Sequence, residues 1–209
     1  LTYLARVCDV ASETLLRAAL TETRAQRSEE LQVLYWIAQA VNFSTDVDTL
    51  LELVYTQLKR VMRLPSFYIA LVDPERDELS FSFYIDNDER LYPDFTWSTS
   101  SGLTGVLLAN DMTIRTADYT TECRQRDIEP KGPNIGRAWM GTALSAGDQT
   151  IGVMVVSAST PDIRFTETEE NLFVTVGAYA AAILERHALY ARLESRAREL
   201  APLNEIGKL

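Results

Sequence analysis

Two cysteines and one histidine are the side chains in this chain best suited to nucleophilic or metal chemistry. Cys8 and Cys123 lie far apart, and neither belongs to a CxxC or CxH pattern, so the sequence predicts neither a disulfide framework nor a metal knuckle. His187 has no obvious carboxylate or second histidine at metal-binding spacing, and we expect it at a surface or an interface. Because Ser-His-Asp, HExxH, P-loop and Cys-His arrangements are also missing, this segment is predicted not to be an enzyme.

Cys123 carries the remaining possibility of thiol chemistry. Arg124 and Arg126 follow it in a polar segment, and nearby cations lower the pKa of a thiol and raise its reactivity. A thiol redox sensor, or a small redox enzyme that uses Cys123, therefore stays open as an alternative function.

A glycine motif and a group of aromatic side chains indicate ligand binding instead. Gly102-Leu103-Thr104-Gly105 is expected at a helix N-terminus, where unpaired N–H groups and the helix dipole favour an anion. The same pattern also fits a capped turn with close helix–sheet packing. The aromatic residues and Arg115 are predicted near the space between a sheet and its covering loops, where they would line an apolar pocket or fill the core. The candidate ligand-binding residues are Tyr84, Trp97, Gly102, Leu103, Gly105, Arg115, Tyr119 and Trp139.

The composition is that of a soluble globular protein with an acidic surface. A net charge of −10 and a pI near 4.7 would repel phosphate backbones, and no Lys/Arg cluster opposes that field, so nucleic acid is excluded as a partner. The apolar runs fall far short of the ~20 residues that cross a bilayer, so we expect no direct membrane insertion. Cysteines without a disulfide pattern indicate a reducing compartment, and hence a cytoplasmic location.

The spacing of apolar residues changes along the chain and predicts an α+β domain. Residues 1–43 and about 47–63 show helical spacing, whereas the segments that follow show the short or alternating apolar runs of strands. Residues 118–137 are expected to be irregular because Pro and Gly interrupt them. Phe165–Glu169 predicts a helix start, with Thr166 as N-cap and Glu169 completing a capping box. Strands are expected at 67–72, 79–85, 112–116, 138–144 and 150–157, and a short helix at 102–109. The pattern thus predicts a sheet of about five to six strands with antiparallel hairpins, flanked by long N- and C-terminal helices.

The two ends of the chain resemble each other in sequence. Residues 1–40 align without a gap with 170–209, which indicates a repeat unit of about 169 residues. We therefore divide the chain into a linker helix at 1–30, a domain at 31–186, and a C-terminal linker helix with the start of a following unit at 187–209. The apolar seams of these end helices run past the domain core. They predict a parallel coiled-coil homodimer through the terminal helices, and contacts with neighbouring domains of the same chain.

The order of these elements resembles the GAF family of bacterial signalling modules. The resemblance in layout covers roughly 31–186, and it implies a central antiparallel sheet with helices on one side and a ligand pocket on the other. It also implies long signalling helices between tandem domains and an output such as a histidine kinase, cyclase or phosphodiesterase. The residues that carry the resemblance are Gly102–Val106, Arg115–Asp118, Gly147 with Ile151-Gly152-Val153, and Phe165–Glu169.

The ligand signatures of better-defined members of that family are missing here. The Asn-Lys…Phe…Asp-Glu pattern of cyclic-nucleotide binders has no counterpart, and Cys123 is followed by Arg124, whereas a bilin-attaching Cys is often followed by His. The single histidine, His187, lies in the exit helix, where it would not serve as an axial haem ligand. Relatives that reduce free methionine sulfoxide need several active-site cysteines, whereas the domain predicted here contains one, Cys123. No cofactor is identified, and an unknown small-molecule ligand stays open.

These observations predict a non-catalytic module that senses a small molecule and dimerises within a bacterial signal-transduction protein. The output domain, such as the histidine kinase of a two-component system, would lie outside this chain. A structural spacer of the same family, with a collapsed or filled pocket, is the main alternative.

Overall fold

The computed structural model describes residues 47–131, 138–147, 149–160 and 162–206, and side chains as far as residue 189. The predicted linker helix at 1–30 lies outside the described residues. The helices are α1 (Val47–Val61), α2 (Gly102–Asn110), α3 (Tyr119–Gln125) and α4 (Glu167–Ile206). The strands are β1 (Ser66–Asp73), β2 (Glu78–Asp86), β3 (Glu89–Arg90), β4 (Thr96–Ser98), β5 (Thr113–Thr116), β6 (Ala138–Ala146) and β7 (Gln149–Ala158).

The strands form one antiparallel sheet in the order β3-β2-β1-β7-β6-β5, and β4 also pairs with β2. This arrangement confirms the predicted α+β fold, its antiparallel sheet and all five strands expected from the apolar pattern. The sheet has seven strands because β3 and β4 add two short pairings at the outer edge of β2. Runs of two and three residues are too short to show a period, so the sequence pattern could not indicate them.

Helices α1 and α4 pack on one face of the sheet, which we call the helix face. The apolar residues of α1 recur at helical spacing, so that Leu51, Val54 and Leu58 all point to the core and are buried. On the sheet, the ring of Phe67 meets that of Phe173 of α4 edge to face, with centroids 6.4 Å apart. Complete burial of side chains of this size stabilises the fold by roughly 1.5–3 kcal/mol each.

The start of α4 has the predicted capping box. The N–H of Glu169 donates to Thr166 Oγ1 at 3.2 Å, and the N–H of Thr166 donates to Glu169 Oε2 at 2.7 Å. Two N–H groups that the helix cannot satisfy internally are thereby paired, which fixes where α4 begins.

A β-bulge at Ser82 changes which side chains of β2 face the helices. Ile69 of β1 pairs with Phe83, whereas the next residue, Ala70, pairs with Phe81, so Ser82 is the extra residue. Strict alternation along 79–85 would put Phe81 and Phe83 on the same face. The bulge turns Phe81 to the opposite face, and Arg90 Nη2 donates to the carbonyl oxygen of Ser82 at 3.3 Å.

The prediction that residues 118–137 are irregular was wrong for the first part of that segment, where α3 forms. Asp118 caps this helix: Thr121 donates its N–H to Asp118 Oδ1 at 3.1 Å and its hydroxyl to Oδ2 at 2.9 Å. These hydrogen bonds, the backbone one first, lower the pKa of the Asp118 carboxyl. The residues that oppose a helix, beginning with Pro130, come only after α3 has ended.

Among the described helices, one segment of α4 is long and apolar enough to cross a membrane when judged by length and composition alone. It spans Glu167–Leu189 with a mean hydropathy of 1.2. Core helices of soluble proteins meet the same criterion, and here Phe173, Val176 and Ala180 are buried against the sheet. The segment is therefore weak evidence for a membrane span.

Candidate functional site

The face of the sheet opposite α1 and α4 is covered by α2 and α3. Between these helices and the sheet lies a group of six rings, which we call the aromatic layer. Phe81 is at its centre. Its ring stacks on Tyr84 with centroids 5.0 Å apart and contacts Trp97 at 4.7 Å and Tyr68 at 5.2 Å. On the α3 side, Tyr119 and Trp139 contact each other at 5.7 Å. The members of the aromatic layer are Tyr68, Phe81, Tyr84, Trp97, Tyr119 and Trp139.

Four of the residues predicted to bind a ligand fill this space with their own side chains. Tyr84, Leu103, Tyr119 and Trp139 are each at most 5% exposed and belong to one apolar cluster with Cys123. Trp97 is half-buried at the edge of the layer. Among the described residues, these side chains occupy the space in which the ligand was expected.

Tyr119 also connects α3 to the segment that follows it. Its hydroxyl donates to the carbonyl oxygen of Lys131 at 2.6 Å. Burial raises the pKa of Tyr119 to about 12, although hydrogen bonds with the backbone of Lys131 and Leu103 act in the opposite direction. The phenol is therefore neutral at physiological pH and acts as a fixed hydrogen-bonding group.

The glycine motif at the start of α2 is shaped by packing. Gly102 has φ +60°, which glycine adopts without strain, and a Cβ on Gly105 would lie 2.5 Å from the backbone carbon of Ser100. The N–H of Gly105 already donates to the carbonyl oxygen of Ser101 at 3.0 Å. These contacts support the interpretation of a tight turn more than that of an anion site.

Thr104, in the first turn of α2, makes the side-chain hydrogen bonds at the start of this helix. Ser101 is the N-cap residue but makes no side-chain capping hydrogen bond. Instead, the hydroxyl of Thr104 donates to the carbonyl oxygen of Ser101 at 2.9 Å and accepts from Trp97 Nε1 at 3.4 Å. The indole of the aromatic layer is thus tied to the first turn of α2.

An open groove of about 540 Å³ runs along α2, outside the aromatic layer; we call it the α2 groove. Both predicted glycines, Gly102 and Gly105, lie on its wall. The other lining residues are of two kinds. Apolar side chains come from β1, α2 and the segment after α3, and polar residues come from the β1–β2 turn and the ends of α2 and β7. These lining residues are Val72, Val106, Leu108, Ala109 and Ile128, with Asp77, Thr99, Ser100, Asn110 and Thr150. An apolar surface with a few polar groups is the usual composition of a small-molecule site.

Arg115 is the one predicted binding residue on the helix face. On β5 it pairs with Met140, and its Nε donates to Glu170 Oε2 of α4 at 2.6 Å. Its Nη1 donates to the carbonyl oxygen of Phe165 at 3.1 Å. Side chains alternate between faces along a strand, so its neighbours Ile114 and Thr116 face the aromatic layer and Arg115 does not. Through these hydrogen bonds, Arg115 links β5 of the sheet to the start of α4.

Replacing Arg115 with Met is expected to lower the free energy of unfolding by about 1–2 kcal/mol, because a half-exposed ion pair and a hydrogen bond to a carbonyl are lost together. Urea unfolding measures this loss. Arg164→Met, which removes an exposed arginine beside the same helix start, is the control and should change stability by less than ~0.5 kcal/mol. Equal losses in the two variants would contradict the assignment.

The structure overturns the expected reactivity of Cys123. The thiol is fully buried in the apolar cluster under α3, and burial raises its pKa. Arg126 forms an ion pair with Glu122, Nε to Oε1 at 2.8 Å, so its charge is largely neutralised. The sequence placed two arginines close to the thiol along the chain but could not show that the helix turns the thiol inward.

Cys123 in the folded protein is expected to react with Ellman's reagent at pH 8 at least about tenfold more slowly than in urea-unfolded protein, because it is buried and carries less thiolate than a free cysteine. A Cys8→Ser background isolates this thiol. Reaction at the unfolded rate in native buffer would restore the redox alternative.

His187 lies exposed on α4, as expected from its surroundings in the sequence. Within the described part of the chain, no group of three or more His, Cys, Asp or Glu side chains could hold a metal ion.

The sequence model of the GAF domain matches residues 44–185, which is most of the chain. The chain belongs to the GAF domain family. GAF domains are sensory, ligand-binding modules of signalling proteins and are generally regulatory rather than catalytic. No curated protein is significantly similar to this GAF domain in sequence.

Solved structures share the fold of this GAF domain at low sequence identity. The GAF domain of a phosphoenolpyruvate-protein phosphotransferase from Coxiella burnetii is 18% identical with a TM-score of 0.66; the match covers 79% of this chain and 98% of that one. Free methionine-R-sulfoxide reductase from Neisseria meningitidis, solved with its substrate, is 20% identical with a TM-score of 0.58, covering 79% and 91%. The phycoerythrobilin-bound GAF domain of a cyanobacterial phytochrome is 11% identical with a TM-score of 0.59, covering 78% and 97%.

Sequence reasoning missed most of the polar groups in the α2 groove. Asp77, Thr99 and Asn110 belong to three different segments, and only the folded chain brings them to one surface. Asp77 has φ +57°, a conformation in which Asp is enriched among non-glycine residues. Its place after Asp73-Pro74 in a turn was the one local signal that could have indicated it.

Proposed function

We propose that this GAF domain is a non-catalytic sensory module that binds a small molecule in the α2 groove. The observation that carries the proposal is the groove itself, which is open and is lined by apolar side chains together with a few polar ones. Its wall includes Gly102 and Gly105, so a ligand there would contact the backbone of α2 directly. The neighbouring aromatic layer is linked to α2 through Trp97 and Thr104, and would respond to a shift of this helix.

A connected route leads from the ligand side of the sheet to α4. Thr116 of β5 faces the aromatic layer, and Arg115, the preceding residue, holds Glu170 and Phe165 at the start of α4. A ligand that prefers one position of α2 and α3 would therefore bias the position of α4. Only the difference in its affinity for the two positions can carry a signal.

We propose that the module works as a parallel homodimer in a multidomain, cytoplasmic bacterial signalling protein, with a histidine kinase or similar output beyond this segment. The exposed apolar side chains of Val174 and Leu189 on α4 support pairing with another helix, as do the seams expected along the chain ends. Light scattering of the purified segment at micromolar concentrations should give twice the chain mass. A monomeric mass would remove the dimer from the proposal.

Ligand binding is tested by native mass spectrometry and an absorption spectrum of freshly purified protein, followed by a thermal-shift screen of metabolites. Compounds that stabilise the wild-type protein should lose their effect in Ala109→Phe, which blocks the groove at an exposed helical position. Ala182→Phe makes the same change on α4 and should keep the effect. A stabilising compound that ignores Ala109→Phe would place binding elsewhere.

A structural spacer is the second candidate, and one observation favours it. The rings of the aromatic layer pack on one another, and most of them are buried. If neither a co-purified molecule nor a stabilising metabolite is found, the spacer interpretation replaces the sensor.

A further inference from the structure

The polar side chains that line the α2 groove include several hydrogen-bond acceptors, and one of them, Asp77, carries a negative charge. Thr99 donates its hydroxyl proton to Asp77 Oδ1 at 2.5 Å, and its oxygen is left to accept. Asn110 donates one of its two Nδ2 hydrogens to the carbonyl oxygen of Val106 at 2.9 Å, which leaves its Oδ1 as an acceptor and its second N–H as a donor. Asp77, Thr99 and Asn110 thus contribute a carboxylate, a hydroxyl and an amide to the lining of this groove.

Asp77 is held firmly in the position it occupies. Its N–H donates to the carbonyl oxygen of Asp73 at 3.0 Å, and its own carbonyl oxygen accepts from the N–H of Thr99 at 3.1 Å. With these backbone bonds and the Thr99 hydroxyl on Oδ1, the carboxylate needs little ordering when it binds a ligand. A preorganised acceptor loses less entropy on binding than a free side chain.

The α2 groove is negatively charged, like the chain as a whole. Among the described lining residues, Asp77 is the only charged side chain, and no Lys or Arg contributes. The chain as a whole carries a net charge of −10. An anionic ligand would meet no cationic side chain among the described lining residues.

From this acceptor set we infer that the α2 groove takes a small molecule with an apolar body and a cationic, donor-rich head, such as an arylalkyl-ammonium or guanidinium compound. The apolar body would lie on Val72, Val106 and Ile128, and the head would donate to Asp77. This inference rests on the proposed function and specifies the ligand class of the same site.

The test uses three probes with the same phenyl ring and three-carbon chain: 3-phenylpropylamine, 3-phenyl-1-propanol and 3-phenylpropionate. Titrations followed by 1H–15N NMR, with the Gly105 and Val106 amides as reporters, give the dissociation constants, which we expect to be on the order of millimolar. The amine should bind about fivefold to tenfold more tightly than the alcohol, and the carboxylate more weakly than either.

Matched variants separate the role of Asp77 from that of net charge. Asp77→Asn keeps an acceptor for Thr99 and tolerates the positive φ, and it should reduce the preference for the amine over the alcohol to about twofold or less. Asp94→Asn removes one negative charge from an exposed site outside the groove and should leave the preference unchanged. Ala109→Lys, which brings a cation to the groove wall, should weaken amine binding and strengthen that of the carboxylate.

Different experimental results would contradict this inference and the proposed function. Equal affinities for the amine and the alcohol, or tighter binding of the carboxylate, would overturn the inference and leave a ligand-binding groove in place. A preference for the amine that survives in Asp77→Asn would also overturn it. If none of the probes shifts the reporter amides, the inference fails, while the metabolite screen still decides the proposed function.

Discussion

Replacing Trp139 with alanine is expected to lower the free energy of unfolding by about 3–5 kcal/mol, the range for truncating a large buried aromatic side chain. The indole is 3% exposed, contacts Tyr119 and lies directly over Gly141, where even a single added Cβ would come within 2.5 Å of it. Urea unfolding followed by far-UV circular dichroism measures the loss without depending on tryptophan fluorescence.

Trp97→Ala is the matched control for this experiment. Trp97 belongs to the same aromatic layer but is half-buried on the short edge strand β4, so its removal should cost only about 1–2 kcal/mol. A loss below about 1 kcal/mol for Trp139→Ala would show that the layer is loosely packed without a ligand. In that case the predicted binding residues of the layer would return as direct ligand contacts.

Replacing Gly105 with alanine should destabilise the domain by about 3 kcal/mol, although Ala is the better helix former by roughly 0.5–1 kcal/mol. The new methyl group would lie 2.5 Å from the backbone carbon and 2.7 Å from the carbonyl oxygen of Ser100, and backbone atoms cannot move aside as a side chain can. Thermal or urea unfolding gives the sign directly.

Gly177 of α4 provides the comparison. A Cβ on Gly177 would meet the ends of the Thr142 and Met154 side chains at 3.0 Å and 3.3 Å, and these can shift, so Gly177→Ala should change stability by less than about 1 kcal/mol. If Gly105→Ala proved as stable as the wild type, steric packing would not explain this glycine. A ligand approaching the backbone of α2 would then be the better explanation.

The Trp139→Ala and Gly105→Ala experiments both test how tightly the surroundings of α2 are packed. The aromatic layer lies beneath the helix and is filled, whereas the α2 groove lies beside it and is open. A helix packed between a rigid layer and an open groove can report ligand occupancy only if it moves relative to one of them. The hydrogen bond between Trp97 and Thr104 is where such a movement of α2 would first act on the aromatic layer.

Local patterns in the sequence were sufficient to predict the main elements and several of their ends. The helix spacing of α1, the strand hairpins and the capping box of Thr166 and Glu169 all depend on residues a few positions apart, and the structure confirms them. Such features follow from backbone geometry and side-chain periodicity, which neighbouring residues specify by themselves. The predicted linker at 1–30 and the dimer stay predictions.

Features that depend on distant segments needed the folded chain. The bulge at Ser82 shows only in the register between β1 and β2, and it moves Phe81 into the aromatic layer. Arg115 was expected beside a ligand, but pairing with β6 turns it toward α4. Cys123 was expected to be activated by its neighbours in sequence, but α3 packs it into an apolar cluster.

The spacing of apolar and capping residues indicated the main helices, strands and hairpins of an α+β domain, and the resemblance to the GAF family supplied their arrangement. The tertiary structure decided which polar groups share the α2 groove and which of their atoms remain free to bind. Hydrogen bonds such as that from Thr99 to Asp77 join residues 22 positions apart, and each one determines whether an oxygen faces a ligand as an acceptor or a donor. Periodicity is a property of neighbours along the chain, whereas the polarity of a binding surface is a property of neighbours in space.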